Sequence, residues 1–159
     1  MKKNVDVSVW VFDDETSAAD ALKDLRQLQK DGIVKVMDAA VMVKDKNGKV
    51  SVKDTENVEP ASGALFGLIE GGLIGLLGGV PGVIIGAVAG AGTGGVAAQL
   101  IDLGFPKEFL RNLQDSLQPG NSALVAMVEP TWIDRLVKEL EREGGKLFKY
   151  TLEADLTDF

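Results

Sequence analysis

The stretch GALFGLIEGGLIGLLGGVPGVIIGAVAGAGTGG, residues 63–95, decides how this chain can be built. It lies in a segment, residues 61–101, that has one charged residue in 41 positions and holds 13 of the chain's 19 glycines. Glycine recurs at every fourth position on both sides of Val80-Pro81. The two sets are Gly63, Gly67, Gly71, Gly75 and Gly79 before this break, and Gly82, Gly86, Gly90 and Gly94 after it. A spacing of four places each set on one face of a helix.

The two glycine sets mirror each other about the break, which predicts an antiparallel helical hairpin. Pairs whose numbers sum to 161 place Gly71 opposite Gly90 and Gly75 opposite Gly86. Facing stripes of small residues let two backbones approach closely, as they do in membrane helices. Each arm would be roughly 28 Å long, close to the ~30 Å thickness of the hydrocarbon layer. We therefore expect a glycine-zipper hairpin inserted in a membrane; the alternative is a soluble homo-oligomer, a ring or cage, with the hairpin as subunit interface.

Glu70 is the single charged side chain of this segment and falls near the middle of the first arm. An ionised carboxylate there would cost at least ~2.5 kcal/mol in a bilayer. In the mirrored pairing, Thr93 is the nearest side-chain hydroxyl. Glu70 is therefore predicted to be protonated or locally hydrated inside the hairpin and bonded to Thr93 or to a backbone carbonyl, with its pKa raised if the site is dry. The alternatives are a polar lining in an oligomeric pore or proton path and, in a soluble hairpin, a carboxylate that simply reaches water.

Regular strand and helix patterns surround the glycine segment. Before it, residues 4–12 alternate as a strand, residues 18–28 have helical spacing, and residues 33–44 are rich in β-forming residues. Asn47-Gly48 predicts a hairpin turn into a short strand, Lys49–Lys53. After it come an amphipathic helix at 106–117, a buried strand at 122–128, a helix near 131–140 and a strand at 146–152.

These elements form two βαβ units of similar length, which predicts an α+β protein with a ferredoxin-like βαββαβ fold. Residues 1–53 would be the first βαβ half with its β-hairpin extension. Residues 54–120 would be an insertion with the glycine hairpin at 61–101 and the amphipathic helix at 106–117. Residues 121–159 would be the second βαβ half.

Composition excludes several classes of function. The net charge of -7 argues against nucleic acid as a partner. Without Cys or His, there is no thiol nucleophile, no His-based acid–base chemistry and no zinc site of the usual kind. Asp13-Asp14-Glu15 could hold Mg²⁺, but acidic residues before a helix are common electrostatic caps. Residues 90–95 match G-x-G-x-x-G without the acid about 20 residues later that a dinucleotide site needs. We expect no enzyme, no metal and no cofactor.

The expected partners are a second copy of the chain and a lipid bilayer; the sequence identifies no small-molecule substrate. Asp6 and Ser8 interrupt any signal-peptide core near the start. Lys107 and Arg111 follow the second arm, as the positive-inside rule requires of a cytoplasmic flank. The predicted location is the inner, cytoplasmic membrane, with the ferredoxin-like domain in the cytoplasm; the alternative is a cytoplasmic protein.

The chain resembles the predicted bacterial and archaeal membrane proteins grouped as domain-of-unknown-function family 1269, which are loosely related to general stress proteins. The resemblance is carried by the first strand Val5–Phe12, the helix Ala18–Gln29, the two glycine stripes, Phe105-Pro106 with the helix after it, and the strand Ser122–Val128. It implies membrane association and a role in stress. It brings no catalytic residues.

Overall fold

The structure is a computed structural model and describes residues 2–57, 62–78 and 93–155 of the chain. Five strands and five α-helices occur in these residues. Their order is β1 (Lys2–Phe12), α1 (Ser17–Lys30), β2 (Asp38–Lys44), β3 (Val50–Asn57), α2 (Gly63–Leu77), α3 (Thr93–Leu103), α4 (Lys107–Ser116), β4 (Asn121–Val128), α5 (Pro130–Leu140) and β5 (Lys146–Asp155). A short 3-10 helix, Glu141–Glu143, follows α5.

The strands form one antiparallel sheet in the order β3-β2-β4-β1-β5. The central strand, β4, pairs with β2 on one side and with β1 on the other. Strand β5 pairs with β1 at one end of the sheet, and β3 pairs with β2 at the other. The predicted α+β class is confirmed, and strands from both ends of the chain build a single sheet.

Helices cover both faces of this sheet and create two separate hydrophobic cores. The first core lies between the sheet and helices α2, α3 and α4. The second lies between the opposite face and helices α1 and α5. Strand β4 contributes to both, so all eight of its residues are buried. The buried strand predicted at residues 122–128 is confirmed.

The two alternating sets of side chains in β1 are both buried, whereas in a typical strand one set faces the core and the other faces water. Its four valines, residues 5, 7, 9 and 11, enter the first core, whereas Trp10 and Phe12 enter the second. Asp6 and Ser8 also face the second side and are buried. The hydroxyl of Thr151 donates to the Asp6 carboxylate, and Ser8 Oγ donates to the Ala126 carbonyl at 3.3 Å. Alternation here separates two packed faces, and hydrogen bonds compensate the buried polar groups.

The hairpin turn between β2 and β3 is present, but the strand after it is longer than predicted. Gly48 adopts a φ of 85°, which glycine tolerates without strain. The sequence predicts a strand end at Lys53, whereas β3 continues to Asn57. Arg26 of α1 explains the extension: its guanidinium donates to the carboxylates of Asp54 and Glu56 and to the Thr55 carbonyl. Charged side chains that the pattern assigns to a solvated loop therefore tie the end of β3 to α1.

Candidate self-association surface

Helix α2 packs one face, which we call the inner face, against the sheet. Six large apolar residues of this face are buried in the first core: Leu65, Phe66, Ile69, Leu73, Leu76 and Leu77. Burying a side chain of this size contributes about 1.5–3 kcal/mol. In this structure α2 is therefore part of the domain, and its inner face is covered by protein.

The opposite face of α2, which we call the outer face, consists of glycines and small or apolar residues. Its members are Ala64, Gly67, Gly71 and Gly75, each exposed or half-buried. Ile74 lies at the border of this face and also packs against the first core. By contrast, the exposed positions of α1 and α5 carry charged residues such as Asp20, Lys23, Asp134 and Lys138. A helix that contacts water usually has a charged outer face. The outer face of α2 lacks one.

Part of the predicted glycine stripe lies on this outer face. Gly67 is exposed and Gly71 is half-buried. Among the described residues, no heavy atom lies within 4 Å of the point where a Cβ would be attached to either glycine. Gly63, at the start of the helix, is half-buried. These glycines leave a smooth backbone surface that faces away from the sheet.

A close approach between α2 and α3 occurs at Gly72, which lies outside the predicted stripe. A Cβ on Gly72 would lie 2.6 Å from Cγ and Cδ2 of Leu100. The mirrored pairing places Ala89 opposite Gly72, so the predicted register differs from the contact that forms. The physical reason is that Leu100 is itself fully buried in the first core. Core packing, rather than the fourfold glycine spacing, sets where α3 contacts α2.

The remaining glycines of the predicted stripe lie in other parts of the chain. Gly79, Gly82, Gly86 and Gly90 lie outside the described residues. Gly94 belongs to the backbone of α3, but its surroundings lie outside the described part as well. The mirrored pairs stay a prediction.

Two buried polar contacts fix the ends of α2. Ser62, the residue before the helix, donates from Oγ to Oδ2 of the fully buried Asp38 at 2.6 Å. Gln114 of α4 donates from Nε2 to the Leu76 carbonyl at 2.9 Å. A buried polar group without a hydrogen bond costs free energy, so these bonds stabilise the ends of α2. The sequence analysis missed both; the available signal was an aspartate at the first position of a strand that is otherwise apolar up to Val43.

Lys44, at the end of β2, is a third buried polar residue that the sequence analysis missed. Its Nζ donates to the carbonyl of Leu117, directly after α4, at 3.3 Å. Burial lowers the pKa of Lys44 below its usual value. A cation at a helix C-terminus is favourable, so the contact helps to hold α4 against the sheet.

Glu70 lies on a flank of α2, between its inner and outer faces, and is half-buried. Burial raises its pKa above the usual value, in the direction that the sequence predicts. The side chain of Thr93 lies outside the described part of the chain, so the Glu70–Thr93 contact stays a prediction. Gly72 follows Glu70 by two positions, which is about 200° around a helix. Glu70 and the contact with Leu100 are therefore on opposite flanks of α2.

The acidic run before α1 acts as a helix cap. Oδ1 of Asp14 accepts hydrogen bonds from the backbone N–H of Thr16 at 2.9 Å and of Ser17 at 2.6 Å, and Oδ2 accepts from Ser17 Oγ at 2.6 Å. These bonds lower the pKa of Asp14. Within residues 2–57, 62–78 and 93–155, no three acidic residues are grouped so that they could hold a metal ion.

A pocket of about 340 Å³ lies between α5 and β5. Trp10 and Leu147 line it together with charged residues of both signs: Asp134, Lys138, Glu141 and Lys149. Balanced charges at the rim favour neither an anion nor a cation. The pocket therefore does not indicate a class of ligand, and Trp10, 3% exposed, is mainly a core residue.

No helix in the described ranges combines the length and the apolar character needed to cross a membrane. The longest, α2, has 15 residues.

The comparison with protein families supplies the identity of the chain. A family model described as "Protein of unknown function (DUF1269)" matches residues 64–158, from the first turn of α2 to beyond β5. The chain belongs to this family. The resemblance noted in the sequence is thereby confirmed, and the match includes the glycine segment of this DUF1269 protein. No curated protein and no solved structure matches the chain.

Proposed function

We propose that this DUF1269 protein is a non-enzymatic, self-associating protein whose copies contact each other through the outer face of α2. The observation that carries the proposal is the composition of that face: Gly67 and Gly71 with Ala64 and Ile74 around them, and no charged side chain. Exposed apolar surface of this kind marks a site of interaction. Small residues let a second helix approach closely, so van der Waals contact extends along the backbone.

We further propose that the frame carrying this face is ferredoxin-like. Omitting the edge strand β3, the order is β2-β4-β1-β5. The units β1-α1-β2 and β4-α5-β5 interleave in it, and α1 and α5 pack on the same face. This arrangement supports the split βαβ topology of that fold. Helix α2, Gly63–Leu77, would then cover the sheet with its inner face and contact a second copy with its outer face, as a glycine zipper.

A non-enzymatic role is supported by the side chains that the sequence lacks. Without His or Cys, general acid–base and nucleophilic chemistry must come from Asp, Glu, Lys, Tyr, Ser or Thr. The buried members of that set among the described residues have structural partners. Asp6 bonds to Thr151, Asp38 to Ser62, and Lys44 to the Leu117 carbonyl. Ser8 bonds to the Ala126 carbonyl, and Ser122 to the Ala18 N–H. A cytoplasmic location accompanies this proposal.

Replacing Gly71 with leucine tests the surface. No described atom lies within 4 Å of the added Cβ, so the variant should fold, with a helix more stable by about 1 kcal/mol from propensity. If a second copy packs on Gly71, the leucine should separate the two backbones and weaken assembly at least tenfold. The measurement is the mass distribution in analytical ultracentrifugation over a range of protein concentrations.

Asn112→Leu provides the matched control, because Asn112 is exposed on α4 and receives the same side chain. This variant should assemble as the wild type does. A wild-type protein that stays monomeric at high concentration would contradict the proposal, and so would equal assembly of wild type and Gly71→Leu.

Insertion of the glycine segment into a membrane is the second candidate, favoured by the single charged residue between Ala61 and Ile101. It requires α2 to leave the sheet and expose its inner face to lipid. Expression without detergent followed by fractionation separates the two candidates. A monodisperse particle in the soluble fraction would exclude insertion. Recovery of the protein only in the membrane fraction, with resistance of the protein to alkaline extraction, would support it.

A further inference from the structure

The two edges of the sheet differ in how well they are protected against pairing with another strand. At the β3 edge the ladder has an irregularity between Val41 and Met42, and Arg26 occupies the Thr55 carbonyl. Irregular ladders and occupied backbone groups are the usual means of blocking an edge. At the β5 edge, the described residues include no strand or side chain that occupies the outer backbone groups.

Strand β5 is long and regular, which makes its free edge a template. It pairs with β1 over ten consecutive positions, from Lys146 to Asp155, without a register shift. In an antiparallel ladder, alternate residues direct their N–H and C=O groups to opposite sides. Half of the backbone groups of β5 therefore point away from β1 and need a partner, water or another chain.

The side chains of β5 are complementary to those of a second, antiparallel copy of the same strand. The sequence KLFKYTLEAD has its lysines in the first half and its acids in the second. We propose that two copies of the chain pair through β5, about a two-fold axis at Thr151, to form one continuous ten-stranded sheet. A two-fold axis perpendicular to the sheet keeps each face continuous, so residues whose numbers sum to 302 lie opposite each other.

This register places Lys149 of one copy opposite Glu153 of the other, and the two-fold axis repeats the pair. Both side chains are exposed and lie on the face that carries α1 and α5. In the isolated chain, Glu153 forms an exposed ion pair of 3.8 Å with Lys2. Opposite charges directly across two strands are favourable, and like charges are unfavourable.

The other face of β5 gains apolar contacts in the same register. Phe148 and Tyr150 are half-buried there, and the Tyr150 ring lies 5.9 Å from Phe109. Phe148 would lie opposite Ala154 of the second copy, and Tyr150 opposite Leu152. Ala154 and Leu152 are already buried in the first core, so the gain comes from the exposed parts of the two aromatic rings. Partly exposed aromatic residues beside a free edge are the composition expected at the centre of an interface.

Charge reversal tests the pairing, with a swap that restores it. Lys149→Glu and Glu153→Lys should each raise the dissociation constant of the dimer about tenfold, because each creates two like-charged pairs. The double variant should return to within about threefold of the wild type. Lys23→Glu, at an exposed position of α1, changes the net charge by the same amount as Lys149→Glu and is its control; it should leave the constant unchanged. Sedimentation in the Gly71→Leu background measures this interface apart from the proposed α2 surface.

Disulfide trapping measures the register directly, since the chain has no cysteine of its own. Residues opposite each other have Cα atoms about 4.5–5.5 Å apart, within reach of a disulfide. A mixture of Lys149→Cys and Glu153→Cys chains should cross-link, whereas each alone should give at least tenfold less. The cross-link forms whether or not the α2 surfaces also associate. No cross-link in the mixture, equal linking in the single samples, or a charge swap that fails to restore pairing would each overturn the proposal.

Discussion

Replacing Gly72 with alanine should lower the free energy of unfolding by about 1–3 kcal/mol, although the same change at Gly71 should raise it by about 1 kcal/mol. The added Cβ at Gly72 would lie 2.6 Å from two atoms of Leu100, closer than carbon atoms pack. Leu100 is fully buried. Because protein interiors are close-packed, its side chain cannot move aside without a cost in free energy. The measurement is urea unfolding of both variants at one fixed protein concentration.

A double variant separates this overlap from any other effect of the alanine. Combining Gly72→Ala with Leu100→Ala removes the side chain that the new methyl group meets. The two changes together should cost less than the sum of their separate costs, with a coupling of at least about 0.5 kcal/mol. Two results would contradict the close contact between Gly72 and Leu100. One is a Gly72→Ala variant as stable as Gly71→Ala, and the other is simple addition of the Gly72→Ala and Leu100→Ala costs.

Local periodicity was enough to predict the type and order of most strands and helices. The alternation of residues 4–12 and the apolar run of 122–128 both mark strands, because side chains on β-strands alternate between two faces. Periodicity could not show that helices of the insertion cover the face of the sheet opposite α1 and α5. Phe66 and Leu73 are equally compatible with lipid and with a sheet, since both environments favour apolar side chains.

The glycine pattern places Gly67 and Gly71 on one face of α2, but it did not predict the contact between Gly72 and Leu100. Fourfold spacing states that Gly67 and Gly71 share a face of α2, which is correct for any straight helix. The spacing alone does not show whether that face packs against the sheet, another helix or lipid. Leu65 and Ile69 release more free energy on the sheet than a glycine can contribute, so they orient the helix and turn the glycines outward. Gly72 could have been noticed as the second member of the pair Gly71-Gly72.

Side chains that act over long sequence separations were the least predictable. Arg26 contacts residues 28 and 30 positions away, at Asp54 and Glu56, and nothing in the local pattern connects them. The same holds for Asp38 and Ser62, which are 24 positions apart. Such pairs depend on the topology, because the order of the strands determines which distant segments of the chain lie side by side.

The contact between Glu143 and Asp24 is also long-range, and it predicts how the stability of the protein depends on pH. Glu143, in the 3-10 helix after α5, is half-buried near Asp24 of α1. Burial, followed by the hydrogen bond and charge of Asp24, raises the pKa of Glu143 from 4.5 to about 7; Asp20 adds to this, and Arg142 opposes it. The folded protein therefore retains a proton on Glu143 over a pH range in which the unfolded chain has lost it.

The sign of the effect follows from proton binding. Below about pH 4.5 Glu143 is protonated in both states, and its favourable contribution to folding is complete. Between pH 4.5 and 7 the unfolded chain binds fewer protons than the folded protein, so stability falls as the pH rises. Above pH 7 both states are ionised and the contribution is lost. Solvent screening of this half-exposed group limits the loss to about 1 kcal/mol.

Glu143→Gln should remove this dependence, because the amide stays neutral and can still hydrogen-bond to Asp24. The variant should match the wild type in free energy of unfolding near pH 5 and exceed it by about 1 kcal/mol at pH 8. Urea unfolding between pH 5 and 8 measures it, above the range in which paired carboxylates such as Asp14 and Asp54, whose pKa values are lowered, begin to bind protons. Glu141→Gln, exposed in the same 3-10 helix, changes net charge equally and should keep the wild-type slope. If Glu143→Gln keeps that slope too, the Glu143–Asp24 contact is not the source of the pH dependence.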